Sequence, residues 1–263
     1  MAAVRRDCDD AAVTNLRIDD HRQPAGGVVR QLTFARPEAL NAFDTPLYLA
    51  VAEALDAARA DDDVRVVVLT GEGRAFSAGQ DLKEMTRMAT AGPDDEITSG
   101  FPVLIDALVA FDKPLVAAVN GLAIGIGFTM LPHCDLVLVS DEARFRTPFA
   151  ELGVAPEAAS SYLFPLVMGP QRGALALFTG DWMSATEIVA AGIALSSHPA
   201  AEVLPAALAL ASRIAAFPLD SLRAIKSTVA AARTDAIAAA RAREDREFSR
   251  LLSKMVAGDQ WTG

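Results

Sequence analysis

The amino-acid sequence predicts an α/β protein. Three observations carry that class: β-branched, strand-like runs alternate with apolar residues at helical spacing, the order strand, strand, helix returns loosely about three times, and the chain turns almost wholly helical from Ser184 onward. No sequence-level repeat accompanies this, so the recurrence is one of element order alone. At 263 residues the chain suits one large domain or one domain with a helical appendage, and a chain of this length can bury roughly three quarters of its unfolded surface.

Thr14–Ile18 and Gly27–Phe34 alternate as two strands of a hairpin, with DDHRQPAG as the turn between them. Asp44-Thr45-Pro46 offers an N-cap and an early proline, and Leu47, Leu49, Val51, Ala54, Leu55 and Ala58 continue at helical spacing to about Ala60. VRVVVLT, ending at Gly71, is a nearly continuous apolar strand of the kind buried on both faces. GEGRAFSAGQDLKEM is a small-residue loop turning helical at about Gln80. Ala91–Ser99 is expected to be a mobile linker, Val103–Phe111 a helix and Leu115–Val119 a strand. Asn120–Met130 follows as turn and helix, then a strand at Asp135–Ser140, then a short strand, loop and helix to Gly169. Helices are expected at Ser184–Ala191, Leu204–Phe217, Pro218–Ala232 and Thr234–Met255. These are alanine-rich, with few large apolar residues, and are expected to pack on another subunit. The charge run Arg241, Arg243, Glu244, Asp245, Arg246 and Glu247 reads as a solvated helix face.

With 34 acidic and 24 basic residues the formal charge is −10, which argues against a nucleic-acid footprint while leaving room for a few local cations at a small phosphorylated ligand. Only Cys8 and Cys134 occur, so neither a disulfide framework nor a cysteine metal site follows, and a reduced cytoplasmic setting is the expectation. MAAVRRDCDDAAV has no apolar h-region and reads as neither a signal nor a membrane start. The longest apolar run, Leu115–Leu131, is too short for a span and carries Asn120 and three glycines.

The chemistry centres on NGLAIGIGFTM, Asn120–Met130. A strand leading through glycines into a helix presents free N–H groups able to hold an anion or an oxygen gaining charge. FSAGQDLKEM, Phe76–Met85, is a second such start. There is no GxxxxGK[ST], no third glycine after Gly125 and Gly127, no GxSxG, and no metal-like spacing among His21, His133 and His198. No metal is expected, and His133, within an apolar segment, reads as a core histidine.

RPEALNAF (Arg36–Phe43), FSAGQDLKEM, NGLAIGIG and CDLVLVSDEARF (Cys134–Phe145), in this order, resemble the crotonase, or enoyl-CoA hydratase/isomerase, superfamily over about Leu16–Phe248. The resemblance implies a spiral of repeated ββα units over residues 1–200 holding an acyl-CoA site, and a helical region over 201–263 that trimerises, often into a hexamer. It implies that the backbone N–H groups of Gln80 and Ile126 polarise a thioester carbonyl and hold its enolate. Arg36, Ala39, Ala78, Gly79, Asp81, Leu82, Lys83 and Gly125 would line the CoA and thioester path, with Arg36, Arg74 and Lys83 as local cations. CoA belongs to the substrate, so no separate cofactor is implied. The C-terminal helix that covers the CoA site in relatives is matched weakly, with Phe248 and Lys254 as substitutes.

Hydratases of the family use two glutamates, and the matching positions here are Thr129 and Phe149, neither of which can activate water or deliver a proton. Thr147–Gly169 instead resembles the peroxisomal-type Δ3,Δ2-enoyl-CoA isomerases, whose single base matches Glu157. The apolar residues around Glu157 should raise its pKa. The other reading of this glutamate is an acidic residue in the first turn of a helix after Pro156. Glu151 is the second candidate base, and Thr129, Phe149 and Tyr162 are expected in the acyl pocket. The alternatives are an enoyl-CoA hydratase or another reaction of the superfamily, and a non-catalytic acyl-CoA-binding protein.

Overall fold

In the computed structural model the described residues are 4–5, 15–81, 83–84 and 100–256. Leu82, the expected linker Ala91–Ser99 and the terminal GDQWTG lie outside them.

Two sheets share the strands. The larger has seven, in the order β1 (Val4–Arg5), β2 (Leu16–Arg22), β3 (Val28–Phe34), β4 (Val64–Gly71), β6 (Leu115–Val119), β8 (Leu136–Ser140) and β11 (Ser196–His198). The smaller has four, ordered β10 (Met183–Ser184), β9 (Arg144–Arg146), β7 (Leu122–Ile124) and β5 (Ala75–Ser77). β3, β4, β6, β8 and β11 run parallel to one another, and so do β5, β7 and β9, while β2 on β3 and β10 on β9 are antiparallel. Each recurring unit sends one strand to the large sheet and the next to the small one, which is the spiral of ββα turns of the crotonase-like fold.

Asparagines and glycines make these corners. Asn41 Nδ2 donates to Glu72 O and Ala75 O, and Asn120 Nδ2 donates to Gly73 O and Ala75 O, so side chains of two units hold one turn. A Cβ on Gly121 would stand 2.1 Å from Arg74 O, and one on Gly127 would stand 2.6 Å from Ser77 O. Only glycine fits where backbones approach this closely.

The main core lies between the sheets and the helices Thr45–Ala60 and Phe101–Ala110, with Phe34, Phe43, Phe76 and Tyr48 packed ring against ring. The other face of the large sheet carries Val29, Val66, Val68, Val116 and Leu138 and is covered by the helix Val203–Ala215. Burial on both faces explains the unbroken apolar strands. Val203, Ala207, Ala211 and Ala215 recur every four residues along that helix, and their small side chains let it lie close. Of the alanine-rich helices expected to pack on another subunit, this one therefore covers its own chain's sheet.

Two further boundaries differ. The first hairpin strand continues through Arg22, because Asp20 pairs with Arg30 at 2.7 Å and His21 with Gln31 at 3.0 Å across the ladder, so polar residues read as turn belong to the strand. Ser196–His198, expected within a helical region, is a polar edge strand on β8. Among the described residues no single helix is long and apolar enough to cross a membrane; only the bent pair Val203–Ala215 and Leu219–Ala231 passes on composition together.

Candidate active site

The loop around Gln80 is fixed by a bridge to Phe43. Phe43 N–H donates to Gly79 O at 2.7 Å, and Asp81 N–H donates to Phe43 O at 2.8 Å. In a parallel pairing these bonds belong to the residues flanking Gln80, so the N–H of Gln80 points the other way. It has no acceptor among the described residues. The Gln80 side chain is held by Tyr48, whose hydroxyl donates to Oε1 at 2.7 Å from the buried base of the site.

Gly125 adopts φ 52° and ψ −122°, a combination that needs glycine, and its N–H donates to Arg146 O at 3.1 Å. Its carbonyl takes the N–H groups of Phe128 and Thr129, which leaves the Ile126 N–H without an acceptor among the described residues. The helix here spans only Ile126–Thr129 before a 3-10 turn, Leu131–His133. The site therefore offers an individual N–H, and a helix dipole contributes little over a single turn.

The two segments and Glu157 meet at one point. A Cβ built on Gly125 would lie 3.8 Å from Gly79 Cα and 3.8 Å from Glu157 Oε1. The cavity there has a volume of about 490 Å³. Ala78, Gly79, Gln80 and Gly125 form its polar edge, and Phe101, Pro102, Phe149, Leu152 and Val154 line its apolar wall. Glu157 is half-buried, with one side toward this space. Burial nonetheless pushes its carboxyl up to about 7, with the charge of Glu244 adding to the rise and the Thr129 hydroxyl opposing it. That hydroxyl is fully buried and makes no hydrogen bond of normal geometry among the described residues. It lies close enough to affect Glu157 without engaging it.

Glu157 precedes two alanines in the left-handed region, Ala158 at φ 57° and Ala159 at φ 59°. His133 Nε2 lies 2.8 Å from Ala158 O, and since a carbonyl only accepts, the ring nitrogen is the donor. Burial holds the His133 imidazole neutral, with its pKa near 4, so it is a core histidine and not a base. Glu244, from the helix Thr234–Val256, accepts from Ala159 N–H at 2.7 Å and Ser161 N–H at 2.9 Å. It is 5% exposed, which corrects the solvated-face reading for this member of the charge run. The signal lay in the spacing: Ile237, Ala240 and Glu244 form one buried face at i, i+3 and i+7.

Other expected residues divide. Phe149 lines the cavity, as does Phe248. Thr129 lies behind the wall. Tyr162 does not line it; helix phase turns the ring onto the cluster of Leu163, Ile237 and Ala240, which corrects the acyl-pocket expectation. Arg36 is not a free cation, since it pairs with Asp81 at 2.7 Å and Asp44 at 3.3 Å. Burial tends to raise the Asp81 carboxyl, but Arg36 and the N–H groups of Lys83 and Glu84 together hold it below its ordinary value. Asp81 thus ties the RPEALNAF loop to the helix start at Lys83. Ala39 sits in the 3-10 turn Pro37–Ala39 on that loop. Arg74 and Lys83 are exposed and have no ion pair among the described residues. Glu151 is exposed and paired to Arg146, whose guanidinium also stacks 5.3 Å above the Trp182 ring at the cavity wall. A second hollow of about 410 Å³ by Arg172, Trp182 and Glu187 is lined by neither Glu157 nor Gln80 nor Gly125.

A spiral of paired strands with two glycine-held N–H donors above a shielded carboxyl defines a class of enzyme architecture, and the comparisons name it. The family model described as Enoyl-CoA hydratase/isomerase matches residues 25–258, and the chain belongs to that family. Human Enoyl-CoA delta isomerase 2 is 37% identical over 174 residues, 65% of this chain and 44% of that protein. The 4-chlorobenzoyl coenzyme A dehalogenase-2 of an Arthrobacter species is also 37% identical, over 172 residues, 63% of this chain and 61% of its own. The crystal structure of enoyl-CoA hydratase EchA8_6 from Mycobacterium marinum superposes with a TM-score of 0.76 at 46% identity, covering 82% of this chain and 99% of that one. The chain thus spans about half the length of the sequence relatives it matches. Three similar proteins carry the names of three reactions, so the reaction here has to be argued from residues.

Proposed function

We propose that this chain is an acyl-CoA enzyme working through a thioester enolate, and that its reaction is Δ3,Δ2-enoyl-CoA isomerisation. The observation that carries the reading is the shielded carboxyl of Glu157, close to the Gly79–Gly125 junction where two N–H groups lack acceptors among the described residues, while the other buried carboxylate at the cavity, Glu244, has both oxygens engaged by backbone N–H groups. The thioester oxygen would accept from Gln80 and Ile126, each such donor contributing about 3 kcal/mol as charge develops on the oxygen. Glu157 takes the proton from C2, the negative charge spreads over the dienolate, and the same carboxyl returns a proton at C4. One group on one face suffices, and a pKa of about 7 suits both roles near neutral pH.

Hydration would need a second carboxyl, and Thr129 and Phe149 stand at the two positions where hydratases carry one. Glu151 is exposed and neutralised by Arg146, which argues against it as that group. The apolar wall suits an acyl chain, and Arg74 and Lys83 on the outer loop suit the CoA phosphates. A homotrimer, or a hexamer of two, belongs to this reading and is supported by exposed Leu166, Leu175, Phe178, Ile225 and Val229, which light scattering can test. The buried free thiol of Cys134 agrees with a reducing, cytoplasmic setting. The decisive experiment offers 3-enoyl-CoA to wild type and Glu157→Gln. Conversion by the wild type and its loss in the variant supports the reading; full activity in the variant removes Glu157 as base, and tight binding without turnover across chain lengths favours a non-catalytic acyl-CoA-binding protein.

A further inference from the structure

The geometry points to Glu244 as the positioning residue for Glu157: from the C-terminal helix its carboxylate pins the left-handed turn behind the base and places a second negative charge near it. The inference rests on Glu157 being the base.

Ala158 and Ala159 occupy a backbone region that alanine avoids, so the turn persists only because its surroundings over-determine it. The helix Ser160–Met168 begins at Ala159, which has no side chain able to cap it. Glu244 supplies that cap from 85 residues away, taking Ala159 N–H on one oxygen and Ser161 N–H on the other. Both lone carboxylate oxygens are used, and the residue is buried where its neighbours Arg243 and Asp245 are exposed. The aim of Glu157 therefore depends on the C-terminal helix as much as on its own loop.

The groups facing Glu157 come from several elements. Tyr48 on the helix Thr45–Ala60 is held neutral by burial, and the nearby charge of Glu157 raises its phenol further. His133 is neutral. Arg146 and Glu151 on the cavity wall neutralise each other, and Asp245 is exposed to solvent. Glu244 is the buried charge that remains, and its repulsion favours the protonated base. It thereby tunes Glu157 as well as holding it.

The test uses the full chain as wild type, Glu244→Gln, Glu244→Asp and Glu244→Ala. The Glu157 carboxyl is titrated without substrate by infrared difference spectroscopy, with the band assigned by its loss in Glu157→Gln. In Glu244→Gln the midpoint is expected to fall below about 7 while staying above the ordinary 4.5, because burial, the larger cause, remains, and Glu244→Asp, which keeps the charge, retains the higher value. Glu244→Ala, losing both hydrogen bonds, is expected to lower kcat by about a hundredfold with KM little changed. An unchanged midpoint in Glu244→Gln overturns the proposal, because a cap of purely structural value would alter melting and leave the titration alone. If the wild type fails to isomerise 3-enoyl-CoA, the isomerase reading fails, while the substrate-free titration still decides for or against Glu244.

Discussion

Replacing Glu157 by glutamine should abolish activity and stabilise the protein in a pH-dependent way. The folded-state carboxyl is raised from 4.5 to about 7, with burial as the first cause and Glu244 as the second. A raised acid binds its proton more tightly in the native state, so its favourable contribution is complete below the unfolded pKa and is lost as pH rises through the folded one. At about 1.4 kcal/mol for each pH unit, the ionised Glu157 destabilises the fold by ~3 kcal/mol above pH 8 relative to acid. Glutamine resembles the protonated form and avoids that penalty. Urea unfolding of wild type and Glu157→Gln at a series of pH values from 5 to 8.5 reads the difference directly. The variant should gain little at pH 5 and about 3 kcal/mol at pH 8.5. A gap that does not grow with pH would refute the account of a shielded, titrating base.

Further expectations concern the groups around that base. In the wild type, kcat/KM for 3-enoyl-CoA should climb with pH through about 7, since the free enzyme needs Glu157 ionised; a profile flat from pH 6 to 8 would contradict it. Gly127→Ala forces a Cβ to within 2.6 Å of Ser77 O and should cost roughly 1–3 kcal/mol in denaturant stability together with most activity. Tyr48→Phe removes the hydroxyl that holds Gln80 Oε1 and should cost ~1 kcal/mol in thermal unfolding, with a few-fold fall in kcat.

Where the chain runs close to itself, its sequence was readable. Glycines at 121, 125 and 127 mark contacts that a side chain would block or a backbone conformation it would strain, and the apolar strands around VRVVVLT mark a sheet covered on both faces. The small sheet was less legible. β5, β7 and β9 have three residues each, too few for a period to show, and they exist because each follows directly from a strand of the large sheet. Pairing between distant residues was hidden too. Arg36 looks like a ligand cation until Asp81 and Asp44 are brought beside it, and Glu244 looks like one charge among six until helix phase sends it inward. Tyr162 shows the converse, a residue near the base in sequence whose ring the same phase turns away.

The most direct test of the central claim follows a deuterium label. Wild type supplied with 3-enoyl-CoA deuterated at C2 should form 2-enoyl-CoA with part of the label at C4, carried by the Glu157 carboxyl, and Glu157→Gln should form none. A 3-hydroxyacyl-CoA product, or undiminished isomerisation by Glu157→Gln, would contradict the single-base account.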